Sequence, residues 1–253
     1  MKLTICSGFN PANKDVYGLR FYESFRKNLA PTVGLKIYVE EPTPELGAAE
    51  RSLWDCRGMR EFLDRTASVP EYNGRRPPGM TAKMPRLPIW RQREWETDYA
   101  FRFDARKFSR QLFIPEAAAD DLPDGDVLTW LDGDTVALKP VPEGLISGVL
   151  AGADGAFLGR MGTHSEIGFW CVRLSKGTRA FLTSLADMYR SDKVLTLRET
   201  HSAFVWDTVR NWLPGLHFRN LTPTGVGHVF NQSPIGNYIR HDKGKLKSGG
   251  TRG

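Results

Sequence analysis

A run of strand formers that ends on two carboxylates constrains this chain more than any other feature. In Asp126-Val-Leu-Thr-Trp-Leu-Asp-Gly-Asp-Thr-Val136, the residues from Val127 to Leu131 carry no helical period and read as a buried central strand. At its end Asp132 and Asp134 must leave the core, because burying two unpaired carboxylates is costly. Gly133 between them lets the backbone turn tightly enough for both side chains to reach one point. Two carboxylates converging beyond the carboxyl end of a strand offer hard oxygen ligands. These suit Mg²⁺ or Mn²⁺ and leave coordination positions for phosphate oxygens. An isolated Asp-Gly-Asp is also the composition of a solvated turn, so the rest of the chain has to decide between the two.

Before that strand, residues 3–7 read as a first strand running into the turn composition Gly8-Phe-Asn-Pro11. Residues 16–29 have apolar side chains at helical spacing (Leu19, Tyr22, Phe25, Leu29), and 35–39 alternate as a second strand. Strand, helix, strand at the start of a chain implies a parallel, doubly wound α/β sheet. Ligands in such sheets sit beyond the carboxyl ends of the strands, which puts the stretch Ser7, Gly8, Phe9 and Asn10 near a nucleotide. Helical periods follow over 53–63 and 99–113, and after the carboxylates over 144–150, 181–189 and 203–212. Strands are expected at 156–159 and within 165–174. No repeat and no linker divides the chain, so its 253 residues are expected to form one domain.

The net charge of +6 favours polyanionic partners. That charge is concentrated. Arg75, Arg76, Lys83, Arg86, Arg91 and Arg93 lie in a stretch with no acidic residue from Gly74 to Arg93, among five prolines of 69–93 that leave little regular structure. A long, basic loop with Tyr72 and Trp90 has the composition to grip phosphates and stack bases. The tail adds Arg240, Lys243, Lys245, Lys247 and Arg252 against Asp242 alone. Neither a bilayer-spanning apolar run nor a signal-peptide pattern is visible, and the three cysteines lack metal-ligand spacing. A reduced, cytoplasmic setting is the expectation. Cys56 and Cys171 read as packing residues. His164, His217 and His228 have no partner legible in the sequence, and His228, close to the tail, is the nearest of the three to the expected site.

Five stretches in order resemble a known family. Phe103-Asp104-Ala105-Arg106-Lys107-Phe108-Ser109 with Leu128-Thr-Trp-Leu-Asp-Gly-Asp134 is similar to the "RFDA..KF" and "WLDaD" of small phage and bacterial glycosyltransferases of the GT-A fold. Phe157-Leu-Gly-Arg160 and Ser165-Glu-Ile-Gly-Phe169 look like "yLGR…sEtGF". Leu197-Arg-Glu-Thr-His-Ser-Ala-Phe-Val-Trp-Asp207 looks like "L.EwHDsyvfD", and residues 233–245 look like "S.LG.Y.dHlKG.rK". The resemblance spans residues 1 to about 250.

What this resemblance implies is a single GT-A (Rossmann-like) α/β domain with a mainly parallel central sheet flanked by helices. Residues 1–135 would bind a nucleotide sugar, 136–240 the acceptor, and 241–253 would close over the donor. Asp132, Asp134 and His241 would hold Mn²⁺ or Mg²⁺ against the diphosphate of the donor, a UDP-sugar first among the options. Ser7, Gly8 and Phe9 would line the nucleoside pocket, Asp104 and Lys107 would contact nucleotide or phosphate, and Lys243 and Lys245 would neutralise the diphosphate. The base that activates the acceptor hydroxyl is left open among Glu166, Glu199, His201 and Asp207. The family pattern has an acidic residue where this chain has Ser202. The expected acceptor is a 5-hydroxymethylpyrimidine in DNA, gripped through Arg75, Arg76, Lys83, Arg86, Arg91 and Arg93. A cell-surface saccharide or lipid-linked acceptor is the alternative, and a nonenzymatic nucleic-acid-binding protein of the same fold is the third possibility.

Overall fold

The computed structural model describes residues 1–75 and 99–242. Its centre is a seven-stranded sheet in the order β3-β2-β1-β4-β7-β6-β8. The strands are β1 (Leu3–Phe9), β2 (Gly34–Val39), β3 (Glu50–Ser52), β4 (Val127–Leu131), β6 (Gly155–Leu158), β7 (Glu166–Arg173) and β8 (Phe218–Asn220). Six run one way, and β7 alone runs against them. A separate two-stranded ribbon pairs β5 (Thr135–Ala137) with β9 (Ile239–His241). The α/β class and the mainly parallel sheet are as the sequence led one to expect.

β4 lies between β1 and β7, and all five of its residues are buried. Side chains alternate along a strand. Leu128 and Trp130 therefore enter one core and Val127 and Leu131 the other. That is why the segment reads as an unbroken apolar run: both faces of the sheet are covered. One cover is built from α2 (Met59–Thr66), α3 (Ala105–Ala119), α5 (Lys176–Arg190) and α6 (Ser202–Trp212). The other comes from α1 (Leu19–Asn28), α4 (Gly144–Leu150) and the segment around Phe230 and Ile235. On the first face Trp206 of α6 packs among Phe157, Trp170, Phe181 and Phe218, with ring centroids 5.1–6.1 Å apart. Cys6, Cys56 and Cys171 are free and buried, and burial pushes the Cys171 thiol up to about 12, so the three act as packing residues.

Several element boundaries differ from the expectation for local reasons. The helix expected over 16–29 starts as α1 at Leu19, after one wide turn at Lys14–Gly18. The helix expected over 53–63 is broken by Gly58, whose φ of +73° is incompatible with a continuing helix. A short turn at Leu53–Asp55 precedes it and α2 follows. α3 begins at Ala105, where the Asp104 carboxylate caps it by accepting from the Lys107 N–H (2.9 Å), and continues past Phe113 to Ala119. The three-residue strands β3, β5, β8 and β9 carry no period long enough to be seen in the sequence. Most of the basic loop lies outside the described residues, as do Arg76, Lys83, Arg86, Arg91 and Arg93. Among the described residues no helix is long and apolar enough to cross a membrane.

Candidate active site

The sheet's directions decide what meets Asp132. β1 and β4 are parallel, so their carboxyl ends open on one edge, with Gly8 beside Gly133. A Cβ on Gly133 would stand 3.1 Å from the Gly8 carbonyl oxygen, a contact that only glycine avoids comfortably. Because β7 runs the other way, its amino end arrives at that same edge. The Asp132 N–H donates to the Gly168 carbonyl at 3.0 Å, and Glu166 follows two residues away. The third contributor is β9, whose pairing with β5 sets His241 opposite Thr135, and the Asp242 N–H donates to the Asp134 carbonyl (2.9 Å).

Three acidic side chains thus surround one imidazole. His241 Nε2 lies 3.0 Å from Asp134 Oδ1 and 3.7 Å from Asp132 Oδ2, while its Nδ1 is 3.8 Å from Glu166 Oε1. Asp132, Glu166 and His241 each present one ligand atom, all within 4.8 Å of one another. The ring is 4% exposed and occupies the place of a side chain at Gly168: a Cβ there would sit 2.8 Å from its Cε1 and Nδ1. Gly168 is therefore a requirement of the cluster. Glu166 also pairs with Arg160. His228 stands edge-on to His241, with ring centroids 5.8 Å apart.

In front of the two aspartates is a cavity of about 360 Å³. Gly8, Phe9, Asn10, Tyr17, Lys107 and Arg110 are among its walls. Burial first, then the charges of Asp134 and Asp132, push the Tyr17 phenol well above its ordinary range, so it faces the cavity as a neutral hydroxyl. Of the residues expected to line a nucleotide pocket, Gly8, Phe9 and Lys107 do line this cavity. Ser7 is wholly buried within β1, and Asp104 is engaged as the cap of α3 and as the acceptor for the Tyr99 hydroxyl (2.8 Å). Lys243 and Lys245 lie outside the described residues. Arg75, at the edge of the described part, is exposed and bridges to Tyr99.

The remaining base candidates occupy separate places. Glu199 is buried beside His164 and His201, whose Nε2 atoms lie 3.1 and 2.9 Å from its Oε2. Its Oε1 accepts from Arg102 at 2.9 Å, with Arg198 at 3.7 Å. With two guanidiniums already on Glu199, this is a poor place for a further cation, although two histidines and a carboxylate converge there. Asp207 accepts from both the N–H (2.9 Å) and the hydroxyl (2.6 Å) of Ser165, and so fixes the turn that leads into β7.

Burial acts to raise the Glu199 pKa, but the bonds from His164 and His201 and the Arg102 charge outweigh it and hold the carboxyl well below its usual range. Burial also lowers His201, against the opposing pull of Glu199. A depressed folded-state pKa on either group contributes stability above the unfolded value that is lost as pH falls. Wild-type stability should therefore begin to decline below about 6.5 through His201 and fall further below about 4.3 through Glu199. Glu199→Gln is expected to be less stable than wild type at pH 7, with a gap that closes on acidification. Urea unfolding at pH 7 and pH 3.5 measures it, and a gap that stays constant would exclude this assignment.

Sequence reasoning passed over Tyr17, Arg110, Gln111 and His164. Arg110 and Gln111 could have been found: with Lys107 they recur at the i, i+3, i+4 spacing of one helical face. His164 could not, since its partner lies 35 residues away.

No protein-family model matches the sequence, and no curated protein matches it. Solved structures do resemble the fold. A glycosyltransferase involved in the glycosylation of the major capsid of PBCV-1 matches over 98% of this chain and 99% of its own, at 12% identity and a TM-score of 0.43. Mouse xyloside xylosyltransferase 1 matches over 87% and 85%, at 12% identity and a TM-score of 0.47. The glycosyltransferase GlyE of Streptococcus pneumoniae TIGR4 matches over 87% of this chain and 45% of its own, at 10% identity and a TM-score of 0.42. At identities this low, function has to come from the residues of the site.

Proposed function

We propose that this protein is a metal-dependent glycosyltransferase that moves a sugar from a nucleotide-diphosphate sugar, a UDP-sugar being the first donor to test, to a hydroxyl acceptor. The observation that carries the proposal is the convergence of Asp132, Asp134, Glu166 and His241 at the carboxyl end of β4, against a cavity with cationic and aromatic walls.

The donor set fits a divalent cation. Three carboxylates and one imidazole suit Mn²⁺ or Mg²⁺. His241 Nδ1 is buried without a hydrogen-bond partner among the described residues, so the ring is held by its packing and its carboxylate neighbours. Asp132, Asp134 and His241 would hold the ion, with Glu166 behind the ring. When bound, such an ion supplies Lewis-acid stabilisation of the departing diphosphate. Lys107 and Arg110 are the cationic wall for the phosphates, and Phe9 and Tyr17 the aromatic wall for the nucleoside. Glu199 orients His164 and His201, and Asp207 holds the Ser165 turn. In this reading both are supports, and neither is the base. Residues 1–135 would form the donor half and 136–240 the acceptor half, with Lys243 and Lys245 of the tail closing over the diphosphate.

For the acceptor, the concentrated charge of the sequence favours a polyanion, and we propose hydroxymethylated DNA reached through the basic 74–93 stretch. A donor-release assay in Mn²⁺ tests this, with a panel of nucleotide sugars against plain DNA, 5-hydroxymethylcytosine DNA, 5-hydroxymethyluracil DNA, and saccharide and lipid-linked acceptors. Release that depends on modified DNA is the expected result. Release that depends instead on saccharide or lipid would reassign the acceptor. No turnover with any donor, alongside salt-sensitive DNA binding, would leave a binding protein and end the enzyme proposal.

A further inference from the structure

Asp132 is held through one of its carboxylate oxygens. Its Oδ1 accepts from the Trp130 indole N–H (2.9 Å) and from the Gln111 side-chain amide (2.7 Å). An ionised carboxylate can only accept, so Gln111 must turn its NH₂ toward Asp132. Its own amide oxygen then faces away, toward Ser202, whose hydroxyl donates to it. The direction of the chain is therefore fixed by chemistry: Ser202 to Gln111 to Asp132. With Oδ1 satisfied in this way, Oδ2 is the oxygen turned toward His241, 3.7 Å away.

Each link is held rigidly. Ser202 is 1% exposed and is the first residue of α6, directly after the Glu199–His201 segment. That segment is itself tied down by Arg102, whose carbonyl accepts from the N–H groups of Thr200 (2.8 Å) and His201 (3.1 Å). Gln111 projects from α3, the helix that also supplies Lys107 and Arg110 to the cavity.

We infer that Gln111 and Ser202 are positioning residues for Asp132: together they set which carboxylate oxygen meets the cation, and they couple the segment 197–202 to the donor site. The inference rests on Asp132 being a metal ligand, as proposed above. It also gives Ser202 a purpose at the position where the resembling sequences carry an acid. A serine can donate to the Gln111 oxygen, whereas an aspartate can only accept. It would draw the NH₂ to itself and turn the amide oxygen onto Asp132.

The test is direct Mn²⁺ binding by the purified full-length protein, by calorimetry and by paramagnetic resonance of free Mn²⁺, with melting curves recorded in EDTA. The proteins are wild type, Ser202→Ala, Ser202→Thr, Ser202→Asp, Gln111→Met and Asp134→Ala. Outer-shell partners of metal ligands are worth about 10–100-fold in affinity. Ser202→Ala and Gln111→Met are expected to weaken Mn²⁺ by that order, Ser202→Asp by more than Ser202→Ala, and Ser202→Thr, which keeps the donor, by less. Variants that lose thermal stability yet bind Mn²⁺ like wild type would show a purely structural role and overturn the inference. If wild type and Asp134→Ala bind Mn²⁺ equally poorly, the metal reading itself falls, and this inference with it.

Discussion

Asp134→Ala is expected to lower sugar transfer by about 10³-fold or more, the scale on which charge stabilisation at a departing group is lost. Asp134 is 5% exposed and its Oδ1 is the oxygen nearest His241 Nε2, at 3.0 Å. Its backbone carbonyl is bonded to Asp242, so the main chain has a reason to stay in place when the side chain is removed. The variant should therefore fold, with a circular dichroism spectrum like that of wild type, while losing Mn²⁺ affinity. Steady-state kcat/KM with saturating Mn²⁺ checks the prediction. A loss smaller than tenfold, about 1.4 kcal/mol, would remove Asp134 from the metal set.

The second large effect concerns stability. Asp242 is wholly buried and held by two arginines: Arg240 reaches Oδ1 through Nε at 2.5 Å and Oδ2 through Nη2 at 3.4 Å, and Arg20 reaches Oδ2 at 2.9 Å. Arg20 comes from α1 and Arg240 from β9, so the carboxylate fastens the strand that carries His241 to the body of the protein. Removing one member of a buried pair costs about 3–5 kcal/mol, because the partner charges are left behind. Both arginines are about one-third exposed and can recover water, which places Asp242→Ala at the lower end, about 3 kcal/mol. For a chain of this length that is a fall in Tm of roughly 6–12 °C. Mn²⁺ affinity should drop with it, since His241 loses its anchor. Asp242→Asn, which keeps hydrogen-bonding capacity without the charge, should fall between the two. A Tm within about 2 °C of wild type would show that the arginines do not need the carboxylate.

A large share of this arrangement is local, and local features are legible. The unbroken apolar run of Val127–Leu131 reads as a strand covered on both faces and is one, while of the two carboxylates expected to leave the core at its end Asp134 stays buried beside His241. The helices with strong periods are where the sequence puts them, apart from ends set by the turn at Lys14–Gly18, by Gly58 and by the Asp104 and Ser175 caps. The motifs that resemble those of GT-A glycosyltransferases singled out Asp132, Asp134 and His241 before any contact was visible, and left Glu166 as one of four candidates for the base.

What brought those residues together is not local. Glu166 could not be told from Glu199 or Asp207 in the sequence, since all three are acids near apolar segments. The reversed direction of β7 delivers Glu166 to the Asp132 edge, while Glu199 is consumed by Arg102 and two histidines and Asp207 by Ser165. His241 reaches Asp134 only because β9, three residues long, pairs with β5, and because Arg20 holds Asp242 from across the chain. The sequence by itself determined the strand, its carboxylates and the class of ion they suit, since those follow from neighbouring residues and their periodicity. Tertiary structure alone decided which further acid and which amide complete the site. Such partners lie tens to more than a hundred residues apart, and strand direction and long-range pairing leave no periodic trace in the chain.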